Sequence, residues 1–444
     1  MVAVILVGLS GWYFLLRGRT QNVNQADAGR GIGQNTPEAS VNGSTFDNTS
    51  GGGGGGGSAD AGQGNALPPE PGVTYTGSQP AGNTRGVNLP LGMDMNGSIS
   101  SASGTPGSKF KTPRLWHLAK LPVAGFGFVT SATSTPKIYY VERSTGYLFY
   151  VDAGTGGITR ISNTLLPKTY EALISLDGSA ILRGLDAAGN VTTFAASSSR
   201  PSGNGTPQSL KGGLLDRDIS AITAQQGSRS IFFIQDLSDK SVGYTALWDG
   251  TKKKQVFSSA LGEWRVFYLA DGELDVAQKP DDGIPGYAYR IETNGRLTPR
   301  ARNIPGLTIL PKTNSPALLY GSSDGLTVTM FARPSENVPP ISLSIKTAAD
   351  KCVWSSKALF AYCAVPGSIT EKNYLHNRYL GVTHSEDTWW KVDAATGTTQ
   401  LFFSDRAPGE MGVDVQDPVM DPTGNYILFR NAADQSLWLL RIPL

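Results

Sequence analysis

The stretch "MDPTGNYILFR" (420–430) decides how the chain is read. An acidic residue opens a short turn, a glycine closes it, and an aliphatic–aromatic run follows. Asp supplies a side-chain acceptor for the turn, Gly supplies a positive φ, and β-branched and aromatic residues favour an extended strand. The same plan recurs in "SLDGSAIL" (175–182), "AQQGSRSIFFI" (224–234), "YLADGELDV" (268–276) and "PKTNSPALLYG" (311–321). It is looser in "TSATSTPKIYYV" (130–141) and "WSSKALFAY" (354–362). With turn centres at Thr135, Gly178, Gly227, Asp271, Ser315, Lys357 and Gly424, the steps are 43, 49, 44, 44, 42 and 67 residues. A period of about 40–50 residues, in a chain without long 3.6-residue periodicity, is the spacing of an all-β propeller with one four-stranded blade per repeat.

A second recurring element is a strand ending in Asp or Glu, a Gly-containing turn, and another strand. "YVDAGTGGITRI" (150–161) and "KVDAATGTTQLF" (391–402) are near copies, and "GLDAAGNVTTF" (184–194), "LWDGTKKKQVF" (247–257) and "RIETNGRLTPR" (290–300) share the plan. Each is read as the outer hairpin of a blade. Seven turns predict a seven-bladed propeller, with six or eight as the neighbouring counts. The chain stops at "SLWLLRIPL" (436–444), one strand short of a complete last blade, whereas "PRLWHLAK" (113–120) precedes the first inner strand "VAGFGFV" (123–129). The N-terminal strand is therefore expected to become the outer strand of the last blade, which removes an exposed edge.

"SLDGSAIL" and "MDPTGNYILFR" resemble the repeat of Tol-biopolymer-transport-type propellers and the wider WD-repeat-like class, whose blades carry S-P-D-G-x-x-I-x-F. The resemblance covers about residues 110–444 and only the turn and strand core of each blade. It implies the fold. The α/β domain that precedes the Tol-type propeller is replaced here by a low-complexity segment, so the partners of that class are not carried over.

Ahead of the propeller, residues 1–16, "MVAVILVGLSGWYFLL", are uncharged and apolar. At 1.5 Å per residue they reach about 24 Å, a slightly short single-pass anchor or a signal-peptide core. With no basic residues in front, the uncleaved anchor is favoured, with the membrane engaged through residues 2–16. Residues 17–108 contain "GGGGGGG" (51–57) and almost no aromatic residues, so they read as a disordered tether about 50 Å from end to end. The propeller is assigned to 109–444. Arg17 and Arg19 follow the apolar segment and argue for a cytoplasmic side there, against the oxidising compartment considered next.

Both cysteines lie in "KCVWSSKALFAYCAVP" (351–366), where pairing Ser356 with Leu359 sets Cys352 opposite Cys363. Directly opposed strand residues are within disulfide range. Two free buried thiols are the alternative; a metal site is disfavoured because the chain has only three histidines. A disulfide places the propeller outside the cytoplasm, in a periplasm or at a cell surface.

A formal net charge of +2 gives no bulk drive toward nucleic acid. "GRGIG" (29–33) lacks the strand and helix of a phosphate loop, and "GSSDG" (321–325) sits between strands rather than at a nucleophile elbow. Carboxylates at "DRD" (216–218), "PDDG" (280–283) and "DVQDP" (414–418) have no calcium-loop spacing. No catalytic, cofactor-binding or metal residues are assigned. The 67-residue step locates an insertion, "GSITEKNYLHNRYLGVTHSEDTWW" (367–390), between the second and third strands of the sixth blade. With "QKPDDGIPGYAY" (278–289) and "SSSRPSGNGTPQSLKGG" (197–213), the latter read as a blade-to-blade link, it predicts three long loops on one face. Tyr374, His376, Arg378, Tyr379, His384 and Trp389 are the candidate partner-binding residues. The expected function is a monomeric, membrane-tethered propeller that binds a protein or an envelope polysaccharide. The competing expectation is a glycan hydrolase or lyase with carboxylates near the channel.

Overall fold

The computed structural model describes residues 113–129, 136–197, 206–225, 227–404 and 412–442. The expected anchor and tether lie outside the described residues. Among those described, no helix is long and apolar enough to cross a membrane.

Seven antiparallel four-stranded sheets make up the domain. Their inner strands are Val123–Val129, Thr169–Ile174, Ile219–Ala224, Trp264–Tyr268, Thr308–Pro311, Cys352–Trp354 and Val415–Met420. In six blades the strands pair in chain order from the inside outward; in the seventh, Leu115–Ala119 completes the sheet beside Leu437–Arg441. Leu115 pairs with Leu440 and Trp116 with Leu439 in that closing ladder. The chain is a seven-bladed propeller, and its resemblance to the Tol-type and WD-repeat-like class holds at the level of the fold.

The six turn centres among the described residues fall between first and second strands, and Thr135 lies outside them. In "MDPTGNYILFR" the reason is visible. Asp421 Oδ1 accepts the backbone N–H groups of Asn425 and Tyr426, each at 2.6 Å, and Gly424 takes φ 72°. A side-chain cap of this kind, from Asp or Ser, launches the second strand in the second, fourth, fifth, sixth and seventh blades.

Because the inner strands all run one way, second-to-third and blade-to-blade connections share one face, here the loop face. First-to-second and third-to-fourth connections share the other, the turn face. Two expectations change on this basis. Residues 184–194 form the second-to-third hairpin of the second blade rather than an outer hairpin, since Leu185 pairs with Val191. The stretch 197–213 is not a blade-to-blade link either. Its last residues enter the outer strand Lys211–Leu214, so it is a third-to-fourth connection on the turn face. The glycine pair at 212–213 extends as strand there, although its composition reads as loop.

Apolar packing is divided into slabs, one at each blade junction. Along the second blade's Ala180–Leu185, Ile181 faces the third blade, and Ala180 and Leu182 face the first. That follows from the two-residue period of a strand. Near the axis the blades approach closely. A Cβ on Gly125 would stand 1.9 Å from the Ala172 carbonyl oxygen of the next inner strand, so glycine is the residue that fits. Buried arginines strap two junctions. Arg183 pairs with Glu171 at 2.5 Å and donates to the Ile219 carbonyl of the third blade. Arg430 pairs with Asp417 at 2.7 Å and donates to the Val123 carbonyl of the first blade at 3.2 Å.

Cys352 stands opposite Cys363 and the two are bonded, at the junction of the fifth and sixth blades. A covalent ring of this length restricts the unfolded chain by about 3 kcal/mol at most. Reduction under native conditions, or replacement of both cysteines by serine, is therefore expected to lower unfolding free energy by up to that amount. Urea unfolding with and without reductant measures it. An unchanged midpoint, with both thiols alkylatable in untreated protein, would remove the disulfide.

Candidate functional site

The 67-residue step has its physical cause in residues 367–386, which leave the loop face between Phe360–Pro366 and Asp387–Asp393. The sequence reads this segment as irregular, yet it holds a helix, α1 (Tyr374–Tyr379). Six residues cannot sustain a helix alone. Tyr374 and Leu375 pack against Val328 and Ala348 of the fifth blade's surroundings, and that burial holds it.

Polar contacts then tie the insertion to four blades. Asn373, in the left-handed region at φ 56°, donates its backbone N–H to the Gly325 carbonyl of the fifth blade. His376 donates its backbone N–H to Asp282 Oδ2 at 2.9 Å, and its ring Nδ1 lies 3.0 Å from Asp281 Oδ1, both on the fourth blade. Tyr379 donates its hydroxyl to Asp350 Oδ2 at 2.6 Å. Arg378 lies 3.6 Å from the same carboxylate and reaches the Val415 carbonyl on the seventh blade's inner strand at 3.4 Å. Arg265, from the fourth blade's inner strand, meets Asp350 at 3.2 Å. The fourth and sixth blades are not neighbours, so this contact crosses the axis side of the fifth. The insertion lies over the channel mouth.

Beneath it, Lys351 is fully buried. Its Nζ is 2.7 Å from both Asp387 Oδ2 and Asp414 Oδ1, and 2.8 Å from Ser385 Oγ. Asp387 Oδ2 also accepts the Val415 N–H at 2.7 Å, and His384 Nδ1 lies 3.3 Å from Asp414 Oδ2. Burial pushes the Asp387 carboxyl above its ordinary range in spite of Lys351. Burial would raise Asp414 too, but Lys351, His384 and Arg378 outweigh it and hold that group well below the carboxylate range. The four cations Arg265, Lys351, Arg378 and Arg430 face the four anions Asp350, Asp387, Asp414 and Asp417. This is a neutral, inward-facing lock. Each of its carboxylates is paired with at least one cation.

The predicted binding residues divide accordingly. Tyr374 is 4% exposed and Trp389 3% exposed. Trp389 lies on the sixth blade's third strand, 5.4 Å from the Phe429 ring of the seventh blade, so both side chains serve packing. Arg378 and Tyr379 belong to the lock. His376 and His384 remain at the surface, 46% and 38% exposed. Sequence reasoning missed Lys351, Asp350 and Arg265, because isolated charges beside inner strands carry no periodic signal. It also missed an apolar pattern. Of eleven exposed large aliphatic side chains among the described residues, eight lie in loop-face connections: Leu121, Leu165, Leu237, Leu261, Ile284, Leu326, Leu380 and Val382. Turn-face connections carry only Val338 of that set. "GSSDG" is a hairpin turn, with Ser322 Oγ donating to the Pro305 carbonyl at 3.0 Å.

No protein-family model and no curated protein matches the sequence. Among solved structures, the chain is similar to virginiamycin B lyase from Staphylococcus aureus, at 15% identity and a TM-score of 0.45, over 74% of this chain and 98% of that one. It is also similar to oligogalacturonate lyase from Vibrio parahaemolyticus, at 10% identity and a TM-score of 0.42, over 73% and 98%. The β-propeller domain of the Trilobed protease from Pyrococcus furiosus matches at 9% identity and a TM-score of 0.44, over 72% and 95%.

Removing Lys351 tests the lock. Lys351→Met leaves two buried carboxylates facing each other, which costs about 3–5 kcal/mol at pH 7. Without the ammonium their carboxyl groups titrate higher, so the deficit shrinks as pH is lowered and they take up protons. Chemical unfolding of both proteins at pH 7 and pH 5 reads this directly, and adding Asp387→Asn with Asp414→Asn restores part of the loss. A variant as stable as the parent at pH 7 contradicts the assignment.

Proposed function

We propose that this chain is a binding module that engages a macromolecular partner with the loop face of its propeller. The observation that carries the reading is the concentration of exposed aliphatic side chains there, eight in loop-face connections against one in turn-face connections among the described residues. Apolar side chains gathered on one surface mark interaction sites. Ile284, Leu326, Leu380 and Val382 come from the fourth, fifth and sixth blades, around the insertion. Aliphatic rather than aromatic exposure favours a protein over an envelope polysaccharide. Residues 1–16 then act as a membrane anchor and 17–108 as a tether, with the propeller outside the cytoplasm, a placement supported by the Cys352–Cys363 bond. The enzymatic reading has less support. Glycoside cleavage needs two carboxylates facing a substrate cleft, and those nearest the channel are buried against Lys351, Arg265 and Arg378.

The test is crosslinking capture from native membranes, comparing the intact chain with a variant carrying Ile284→Asp, Leu326→Asp, Leu380→Asp and Val382→Asp. Loss of a protein captured by the intact chain, in a variant of unchanged thermal stability, is the expected result. Identical capture from both chains excludes this face. Release of sugar fragments from envelope polysaccharide by the purified protein would instead establish the enzymatic reading.

A further inference from the structure

The exposed aliphatic side chains of the fourth, fifth and sixth blades belong to one continuous surface. Gly283 donates its backbone N–H to the Ser323 carbonyl at 3.0 Å, which joins the loop of Ile284 to that of Leu326. Asn373 donates to the Gly325 carbonyl at 2.8 Å, which joins the loop of Leu326 to the insertion. Within the insertion, Leu380 donates its N–H to the His376 carbonyl and Val382 to that of Asn377, so both residues follow directly on α1. Leu326 is 67% exposed, Val382 61%, Ile284 58% and Leu380 42%. These loops spend backbone groups on one another, so the surface offers a partner side chains instead of an open strand edge.

The charge around these side chains is one-sided. Apart from the lock, which is neutral, the loop-face connections between residues 260 and 386 hold six carboxylates: Glu263, Asp281, Asp282, Asp324, Glu371 and Glu386. Against them stand three lysines, Lys279, Lys346 and Lys372, in a chain whose formal net charge is +2. Lys279 is committed to Glu263 at 2.8 Å. Asp324 Oδ1 accepts the backbone N–H groups of Leu326 and Thr327 at 2.8 and 2.7 Å, and Glu371 accepts the Thr383 hydroxyl. Both acids are exposed, and neither pairs with a lysine or arginine among the described residues. The Thr327 N–H, with that of Leu326, holds the Asp324 carboxyl below its ordinary range, so it is anionic at neutral pH.

We propose that the protein partner docks here through a basic amphipathic helix. Its apolar stripe lies on Ile284, Leu326, Leu380 and Val382, and its lysine or arginine flanks face the carboxylate rim. The inference rests on the loop-face reading and specifies the chemistry of the partner. An apolar surface edged by carboxylates is complementary to an apolar stripe edged by cations. A helix also presents its anchors as side chains from one face, which is what a surface without a free strand edge can receive. An anionic lipid surface is the wrong occupant, because its headgroups meet carboxylates. The rim steers encounter and fixes orientation, while aliphatic contact supplies most of the affinity.

Fluorescence anisotropy of labelled peptides with the intact chain tests this. The probes are a leucine–lysine amphipathic helix, its leucine–glutamate counterpart, and a leucine–lysine peptide of the same composition whose order gives no apolar face. The leucine–lysine helix is expected to bind saturably and more weakly as salt rises. The other two should bind at least about tenfold more weakly. Asp324→Asn with Glu371→Lys should weaken the leucine–lysine helix about tenfold and flatten its salt dependence. Glu371→Lys alone, at an exposed position, carries the test if the double variant does not fold. The proposal falls if either control peptide binds as tightly as the leucine–lysine helix, or if the charge variants bind that helix unchanged. It falls as well if the intact chain floats with phosphatidylglycerol vesicles through this face, an association that Leu326→Asp then weakens. Failure of the loop-face reading shows separately, as capture from native membranes that the four aspartate substitutions leave unchanged. Capture lost with those substitutions, beside a leucine–lysine helix that does not bind, overturns this proposal alone.

Discussion

Everything in this propeller depends on one ladder of backbone hydrogen bonds, that between Leu115–Ala119 and Leu437–Arg441. A ring of separate blades closes only if its first and last segments meet, and here the N-terminal strand completes the seventh sheet. Here the meeting is noncovalent and spans more than three hundred residues of chain. The slab it completes is among the most apolar in the molecule, with Trp116, Leu118, Phe128, Leu428, Leu437 and Leu439 all contributing. Arg430 adds a polar contact at the same junction through its bond to the Val123 carbonyl. Closure therefore combines a strand ladder, an apolar slab and a charged strap, where an interior junction also has chain continuity.

The fold was legible because its signals are local and repeated. Short polar turns recur at a 42–49-residue spacing broken once by the 67-residue step, and where they carry Asp, as at Asp177, Asp271 and Asp421, the side chain caps the turn. The missing last strand could be read from arithmetic alone. The face of each connection was harder. Residues 197–213 and 184–194 were misassigned within their blades because a short polar turn looks the same between any two strands. Helix α1 was invisible for a related reason: six residues carry too little periodicity, and its existence rests on what Tyr374 and Leu375 touch. The charged lock was beyond reach from sequence. Asp350, Lys351, Asp387 and Asp414 become partners only once the sixth and seventh blades are adjacent.

The lock also explains why the insertion holds one position although it is a long excursion from a hairpin. A buried ion set is specific before it is stabilising, because its groups are satisfied in few arrangements. The exposed aliphatic side chains of the loop face are thereby presented from a fixed support instead of a loose loop. Preorganisation of that kind lowers the entropy lost when a partner docks.

The position of the closing strand has a mechanical meaning. Arg441 donates its backbone N–H to the Arg114 carbonyl, and Ile442 donates to that of Asn425, so both ends of the described chain leave the ring beside the turn face. Tension along the closing strand is borne as shear across the whole ladder with Leu437–Arg441, so its hydrogen bonds share the load instead of opening one after another.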